Sequence, residues 1–126
     1  MGEHLNGQPL ATPDLAPLRI GDRSTLPIVQ GGMGVGVSAH RLAGAVAECG
    51  AVGTISSVDL RRLHADLMAE TGRCLDREKI DAANLVALDR EIRAAKLQAN
   101  GRGMIAVNIM RALSAYSPYV RQACES

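Results

Sequence analysis

Aromatic residues are almost missing from this chain. Its 126 residues include two tyrosines, no tryptophan and no phenylalanine. A core must therefore be built from alanine, valine, leucine, isoleucine and methionine, which suits the closely packed layers of an α/β protein. Hydrophobic residues still make up 47% of the sequence, which is typical of a globular unit rather than of a disordered tail.

An excess of charge of one sign is also missing. The formal net charge is +1, with basic and acidic residues interspersed, so nothing indicates binding to nucleic acid or to an anionic membrane. No apolar run approaches the roughly 20 residues that span a bilayer. The N-terminal segment has proline and acids where a signal peptide needs a basic start and an apolar stretch. We therefore expect a cytoplasmic protein without nucleic-acid or membrane partners.

Cysteine and histidine are too few and too scattered for a disulfide framework or a metal site. Cys49, Cys74 and Cys124 are odd in number and lie far apart. Each falls in a predicted helix, where we expect it to be a small buried hydrophobe. His40 and His64 show no metal-type pairing and are expected to face solvent. The sequence therefore predicts no metal site.

Short apolar runs alternate with segments of helical period. Strands are predicted at residues 26–30, 52–55 and 104–109. Helices are predicted from Ser38, as the N-cap, to Cys49, in two pieces between residues 59 and 100, and from Tyr119 onward after a Ser117-Pro118 cap. The second of the two pieces is predicted to be capped by Asp76 and ended by Asn100-Gly101. The order β-α-β-α-α-β-α predicts the α/β class, with parallel strands, right-handed crossovers and flanking helices. Residues 1–24 show no sustained period and are predicted to form an N-terminal arm.

A glycine cluster follows the first predicted strand. Gly34, Gly36 and Ala39 match the G-x-G-x-x-G/A fingerprint of a dinucleotide-binding fold. That fold also needs an acidic residue at the end of its second strand to hold the ribose hydroxyls. Residues 54–57 contain no acid, and Asp59 falls past the strand. The sequence therefore lacks the acidic residue that a dinucleotide-binding fold requires, which disfavours that interpretation of the fingerprint.

The glycines before the fingerprint favour another interpretation. Residues 31–34 end the first strand with almost no side chains, so the backbone can approach a flat ligand such as a flavin ring. In a (β/α) barrel, ligands lie at the C-terminal ends of the strands. The alternative is that these glycines only make a tight turn between strand and helix.

Asn108 is the single amide in the third predicted strand, which is otherwise suited to burial. A buried amide without a partner costs about 1–3 kcal/mol, so we expect a specific partner. That partner is either a neighbouring backbone group or a heteroatom of a cofactor above the sheet. Because parallel strands in one sheet end at the same face, we expect Asn108 to lie on the same side as residues 31–34.

Two stretches together resemble a known family. The sequence LPIVQGGMGVGVSAHRLAGAVAECGAVGTISS (26–57) and the strand IAVNIM (105–110) resemble the nitronate monooxygenases, formerly called 2-nitropropane dioxygenases. They are similar also to the FMN-dependent enoyl-ACP reductases. The resemblance implies a (β/α)8 TIM barrel, of which this chain would be the N-terminal three β/α units. Residues 25–126 would then be a partial, truncated FMN-binding barrel domain.

The resemblance also implies a cofactor and its contacts. FMN would be bound by the backbone of Gly32, Met33 and Gly34 and by Asn108, with residues 54–56 near the ring. It implies an oxidoreductase that converts alkyl nitronates and dioxygen to a carbonyl compound and nitrite. The alternative is passage of a hydride from NAD(P)H through FMN to an enoyl thioester. The catalytic base and the FMN phosphate loops are expected beyond Ser126, so the sequence identifies no catalytic residue. A third alternative is an inactive, truncated product of such a barrel. The sequence does not indicate an oligomeric state.

Overall fold

The computed structural model describes residues 14–126, so the first 13 residues of the predicted arm lie outside the described part of the chain. Nine elements follow one another: β1 (Leu18–Ile20), β2 (Arg23–Thr25), α1 (His40–Glu48), β3 (Val52–Ser56), a short 3-10 helix (Leu60–Leu63), α2 (Ala65–Thr71), α3 (Arg77–Ala99), β4 (Met104–Asn108) and α4 (Tyr116–Glu125).

A small antiparallel hairpin lies in the segment that was expected to be an arm. β1 pairs with β2 from Leu18 opposite Thr25 to Ile20 opposite Arg23. The turn begins at Gly21, which has a φ of +60°. A two-residue turn of this kind requires left-handed backbone, and glycine adopts it without a steric penalty. The Gly21-Asp22 pair was therefore the signal for this hairpin, although strands of three residues are too short to show a period.

The main sheet is parallel and follows the chain order. β3 and β4 pair from Val52 opposite Met104 to Ser56 opposite Asn108. The predicted first strand joins β3 through a single parallel bridge between Val29 and Val52. The predicted α/β class and parallel sheet are confirmed, and the closed barrel stays a prediction.

Helices α1 and α3 pack together on one face of this sheet. A Cβ added to Gly53 would collide with the backbone of Ala43, so α1 lies directly on β3. Ile55 joins Ala43, Leu88 and Ile92 in the buried core between strand and helices. Because side chains alternate along a strand, Ser56 and its partner Asn108 face away from this helix layer.

The long helix α3 begins and ends where the sequence predicted. Asp76 caps it by accepting a hydrogen bond from the Glu78 backbone at 3.0 Å. Asn100, with a φ of +51°, and Gly101, with a φ of +74°, end it in left-handed backbone. Both caps depend on local chemistry, which explains why they could be predicted.

Several predictions about burial and helix starts were wrong. The three cysteines were expected to be buried, but Cys49 and Cys124 are exposed and Cys74 is half-buried. All three lie at or beyond helix ends: Cys49 just after α1, Cys74 in the loop before α3 and Cys124 in the last turn of α4. Helix α4 begins at Tyr116, so Pro118 lies inside the first turn rather than at its first position. Residues 104–107 are half-buried rather than covered on both faces.

Candidate functional site

The glycine segment and the third predicted strand meet at the C-terminal end of the sheet. A Cβ added to Gly32 would lie 2.8 Å from the Asn108 Cβ and 3.0 Å from its Nδ2. A Cβ on Gly34 would lie 3.2 Å from the Ser56 Oγ. The expectation that both motifs converge on one strand-end face is therefore confirmed. We call Gly32, Met33, Gly34, Ser56 and Asn108 the strand-end site.

The two adjacent glycines differ in what surrounds them. A Cβ on Gly31 would meet nothing within 4 Å, whereas a Cβ on Gly32 would be closer to Asn108 than real side chains approach one another. Of these two positions, the close approach of the two chain segments thus requires glycine at 32 but not at 31. The sequence could not distinguish these positions, because the neighbour that matters lies on another strand.

The backbone of Met33 is already engaged inside the protein. Its N–H donates to the Ser38 Oγ at 2.9 Å, and its carbonyl accepts from the Ser38 N–H at 2.9 Å. The Met33 N–H is therefore not free to bind a ligand, although the side chain is 44% exposed. Gly32 and Gly34, by contrast, have N–H groups without a hydrogen-bond partner among residues 14–126. Of the three predicted backbone donors, these two are free.

Asn108 is exposed, and the prediction that its amide is buried was wrong. The side chain makes no hydrogen bond within residues 14–126, while the backbone carbonyl accepts from the Ser57 N–H at 3.1 Å. The reason is its position: it is the last residue of β4 and faces away from the helix layer. A free amide beside the unpaired N–H of Gly32 can donate to and accept from a ligand at the same time.

A buried glutamate holds the first turn of α1 in place. Glu91 is 2% exposed, and its Oε2 accepts from the His40 backbone N–H at 2.8 Å and lies 2.7 Å from His40 Nδ1. Its Oε1 lies 3.1 Å from His64 Nε2, an ion-pair distance without hydrogen-bond alignment. The expectation that both histidines face solvent was therefore wrong for His64, whose side chain is 19% exposed, whereas the side chain of His40 is 38% exposed although it contacts Glu91. Their partner is remote in sequence, so no local pattern reveals it.

This glutamate bears directly on the dinucleotide fingerprint. In dinucleotide-binding folds, the pyrophosphate binds the free N–H groups at the helix that follows the glycine loop. Here α1 begins at His40, and the predicted cap Ser38 does not cap it. Instead, the carboxylate of Glu91 accepts a hydrogen bond from the first backbone N–H of the helix. A phosphate there would meet a negative charge at the position it needs.

The strand-end site itself has no ionisable side chain. The first charged residue after β3 is Asp59, which pairs with Arg61 Nε at 2.9 Å and with Arg62. Burial raises the pKa of Asp59, but the hydrogen bond from Arg62 and the charges of both arginines outweigh it, so the pKa is lowered. The site therefore offers neutral donors and acceptors, which suit a neutral flat heterocycle better than a phosphate.

A cavity lies at the end of the sheet opposite the strand-end site. A cavity of about 660 Å3 lies between the hairpin and the N-terminal ends of the strands, and its lining includes Leu26, Cys49 and Arg102. It lies away from both predicted motifs. Ligands of parallel α/β sheets bind at the carboxyl ends of the strands, so the strand-end site has the stronger physical argument.

No known protein family matches this chain, and a search of curated proteins found no match either. Within residues 14–126, no helix has the length and apolar character needed to cross a membrane. In the same part of the chain, no group of three or more histidine, cysteine, aspartate or glutamate side chains is arranged to hold a metal ion.

Proposed function

We propose that the strand-end site binds the isoalloxazine ring of FMN, and that the chain belongs to a flavin-dependent oxidoreductase of the nitronate monooxygenase type. The observation that carries this proposal is the close approach of Gly32 to Asn108 at the carboxyl end of a parallel sheet, where a Cβ on Gly32 would lie 2.8 Å from the Asn108 Cβ. It brings a free backbone N–H and a free amide to the same point. This is where barrel enzymes bind their ligands.

The properties of the site fit the ring. Its pyrimidine edge presents alternating hydrogen-bond donors and acceptors, which the N–H groups of Gly32 and Gly34 and the amide of Asn108 can pair with. The two faces of the ring are apolar, and Met33 and Val35 expose apolar side chains in the same loop, at 44% and 50% exposure. Neutral surroundings fit as well, because the ring carries no charge in its oxidised form.

The protein's own residues bind and orient in this proposal, and bound FMN supplies the redox chemistry. Oxidation of a nitronate by dioxygen and reduction of an enoyl thioester by NAD(P)H are both compatible with such a site. Reduction of an enoyl thioester also needs a proton donor, and the resemblance implies a base for nitronate oxidation; the five strand-end residues include neither an acid nor a base.

Two simpler interpretations are weaker. Dinucleotide binding is disfavoured because Glu91 occupies the start of α1 and because Ser56, not an acid, ends the second predicted strand. A glycine run that serves only as a tight turn explains the bend after Gln30. It does not explain why Gly32 lies so close to Asn108 that a Cβ on it would overlap the Asn108 side chain.

The test is a fluorescence titration of the chain with lumiflavin, which is the ring without ribityl phosphate, and with FMN. Because the proposed contacts involve the ring alone, both compounds should bind only weakly to these 126 residues, with affinities within about threefold of each other, which is less than one hydrogen bond is worth. Asn108→Ala should weaken lumiflavin binding about 3- to 10-fold, the net value of one hydrogen bond. Gln98→Ala, which removes an amide between α1 and α3, serves as the control. An absence of binding, or an unchanged affinity in the Asn108 variant, would contradict the proposal.

A further inference from the structure

The side chain of Gln30 takes the place of backbone in the parallel sheet. The last regular rung between the first predicted strand and β3 joins the Gln30 N–H to the Val52 carbonyl at 2.9 Å. In a continued parallel ladder, the next rungs would join the Thr54 N–H to the Gln30 carbonyl and the Gly32 N–H to the Thr54 carbonyl. Instead, the Thr54 N–H donates to Gln30 Oε1 at 2.9 Å, and Gln30 Nε2 donates to the Thr54 carbonyl at 3.1 Å.

This substitution has a specific consequence for Gly32. The Thr54 carbonyl, which would otherwise bind the Gly32 N–H, is already satisfied by the Gln30 amide. The backbone can therefore leave the sheet at residue 31 without an unpaired group on buried β3. The Gly32 N–H is released at the same point, beside the side chain of Asn108.

Ser38 fixes the other end of the glycine segment. It is fully buried, and its Oγ accepts from Gln30 Nε2 and from the Met33 N–H, both at 2.9 Å. Its own N–H donates to the Met33 carbonyl at 2.9 Å, and its carbonyl accepts from the Ser56 N–H at 3.0 Å. Gln30 and Ser38 thus connect the loop to β3 on both sides of Gly32.

We infer that Gln30 and Ser38 are positioning residues that hold the glycine segment open, so that the Gly32 N–H faces a ligand rather than the sheet. Both side chains act through the backbone of this segment and of β3, not as ligand contacts. The inference rests on the proposed flavin site only for the identity of the ligand. The arrangement of the hydrogen bonds can be tested without any ligand.

Amide hydrogen exchange of the 126-residue chain tests the arrangement directly. In the unliganded wild type, the Thr54 and Met33 amides should be protected while the Gly32 amide exchanges close to the rate of an unstructured peptide. A protected Gly32 amide together with an unprotected Thr54 amide would overturn the inference before any variant is made.

Gln30→Met has a similar size and lacks both hydrogen-bonding groups. Without the amide, the backbone can complete the ladder, so the Gly32 amide should exchange about 10-fold more slowly, the effect of one added hydrogen bond. Lumiflavin affinity should fall by a similar factor, again about 10-fold, because the same N–H is withdrawn. Ser38→Ala should release the Met33 amide and lower the affinity without protecting Gly32. Gln98→Met is the matched control and should change neither.

The readouts separate positioning from a general loss of stability. A merely destabilised protein would exchange faster at all amides, including that of Ile92 in α3, and Gly32 would gain no protection. That result in Gln30→Met would overturn the inference. If the wild type does not bind lumiflavin at all, the flavin proposal fails, while the exchange pattern still decides whether Gln30 holds the loop open.

Discussion

A methyl group added at position 32 should have a very different effect from one added at position 31. In Gly32→Ala, the new Cβ would lie 2.8 Å from the Asn108 Cβ and 3.0 Å from its Nδ2. Non-bonded carbon atoms prefer a separation of about 3.5–4.0 Å, so the atoms would overlap by roughly 1 Å. Rotation about the Asn108 side-chain bonds can move Nδ2 but not Cβ. The backbone of the loop or of β4 must therefore shift.

The change in the free energy of unfolding differs between the two variants. Overpacking that forces a backbone shift costs about 1–3 kcal/mol, and we expect Gly32→Ala to lower the free energy of unfolding by that amount. Gly31→Ala meets nothing within 4 Å, and its backbone is outside the left-handed region. Its effect should therefore lie between zero and a gain of about 1 kcal/mol, because alanine reduces the entropy of the unfolded chain.

Urea unfolding followed by far-UV circular dichroism measures both variants against the wild type. The comparison requires equal slopes with denaturant, because a changed slope indicates a changed unfolded or native state. Lumiflavin affinity measured on the same samples should fall in Gly32→Ala only. Equal stabilities of the two variants would refute the close approach of Gly32 to Asn108, from which the strand-end site is built.

Two further predictions concern the framework around the site. Burial raises the pKa of Tyr119 to about 12 from a model-compound value of 10.0, so the folded state retains the phenol proton over a range in which the unfolded chain loses it. The free energy of unfolding should therefore be unaffected by this group below pH 10.0 and should fall as the pH rises towards about 12, and Tyr119→Phe should remove that part of the pH dependence. Glu91→Ala should destabilise the chain by about 1–3 kcal/mol, because the His40 N–H and imidazole lose their buried acceptor. The exposed Glu70→Ala is the control, and equal urea midpoints for the two glutamate variants would contradict the role assigned to Glu91.

Local chemistry made some of these features predictable from the sequence. The caps of α3 at Asp76 and Asn100 depend on residues within one turn of the helix ends. The meeting of Gly32 with Asn108 was predictable for a different reason: parallel strands in one sheet end at the same edge, so motifs that follow two such strands must converge. Neither prediction needed a contact between remote side chains.

The features that the sequence concealed depend on contacts between distant segments. Gln30 was assigned only as the last residue of a strand, and nothing local indicates that its amide replaces a backbone rung at Thr54. Ser38 matched a helix cap, but its hydroxyl binds the Met33 N–H instead, since Glu91 from α3 supplies the partner for the first N–H of α1. Hydrogen-bonding side chains have several possible partners, and the fold selects among them.

A two-dimensional 1H–15N spectrum of the chain, recorded with increasing lumiflavin, tests the central claim most directly. The account predicts that the amides of Gly32 and Gly34 and the side-chain amide of Asn108 shift together with one dissociation constant. Resonances near the cavity at the other end of the sheet, including that of Arg102, should not move. Shifts confined to Arg102 and its neighbours, or no shifts at any residue, would contradict a flavin site at the strand ends.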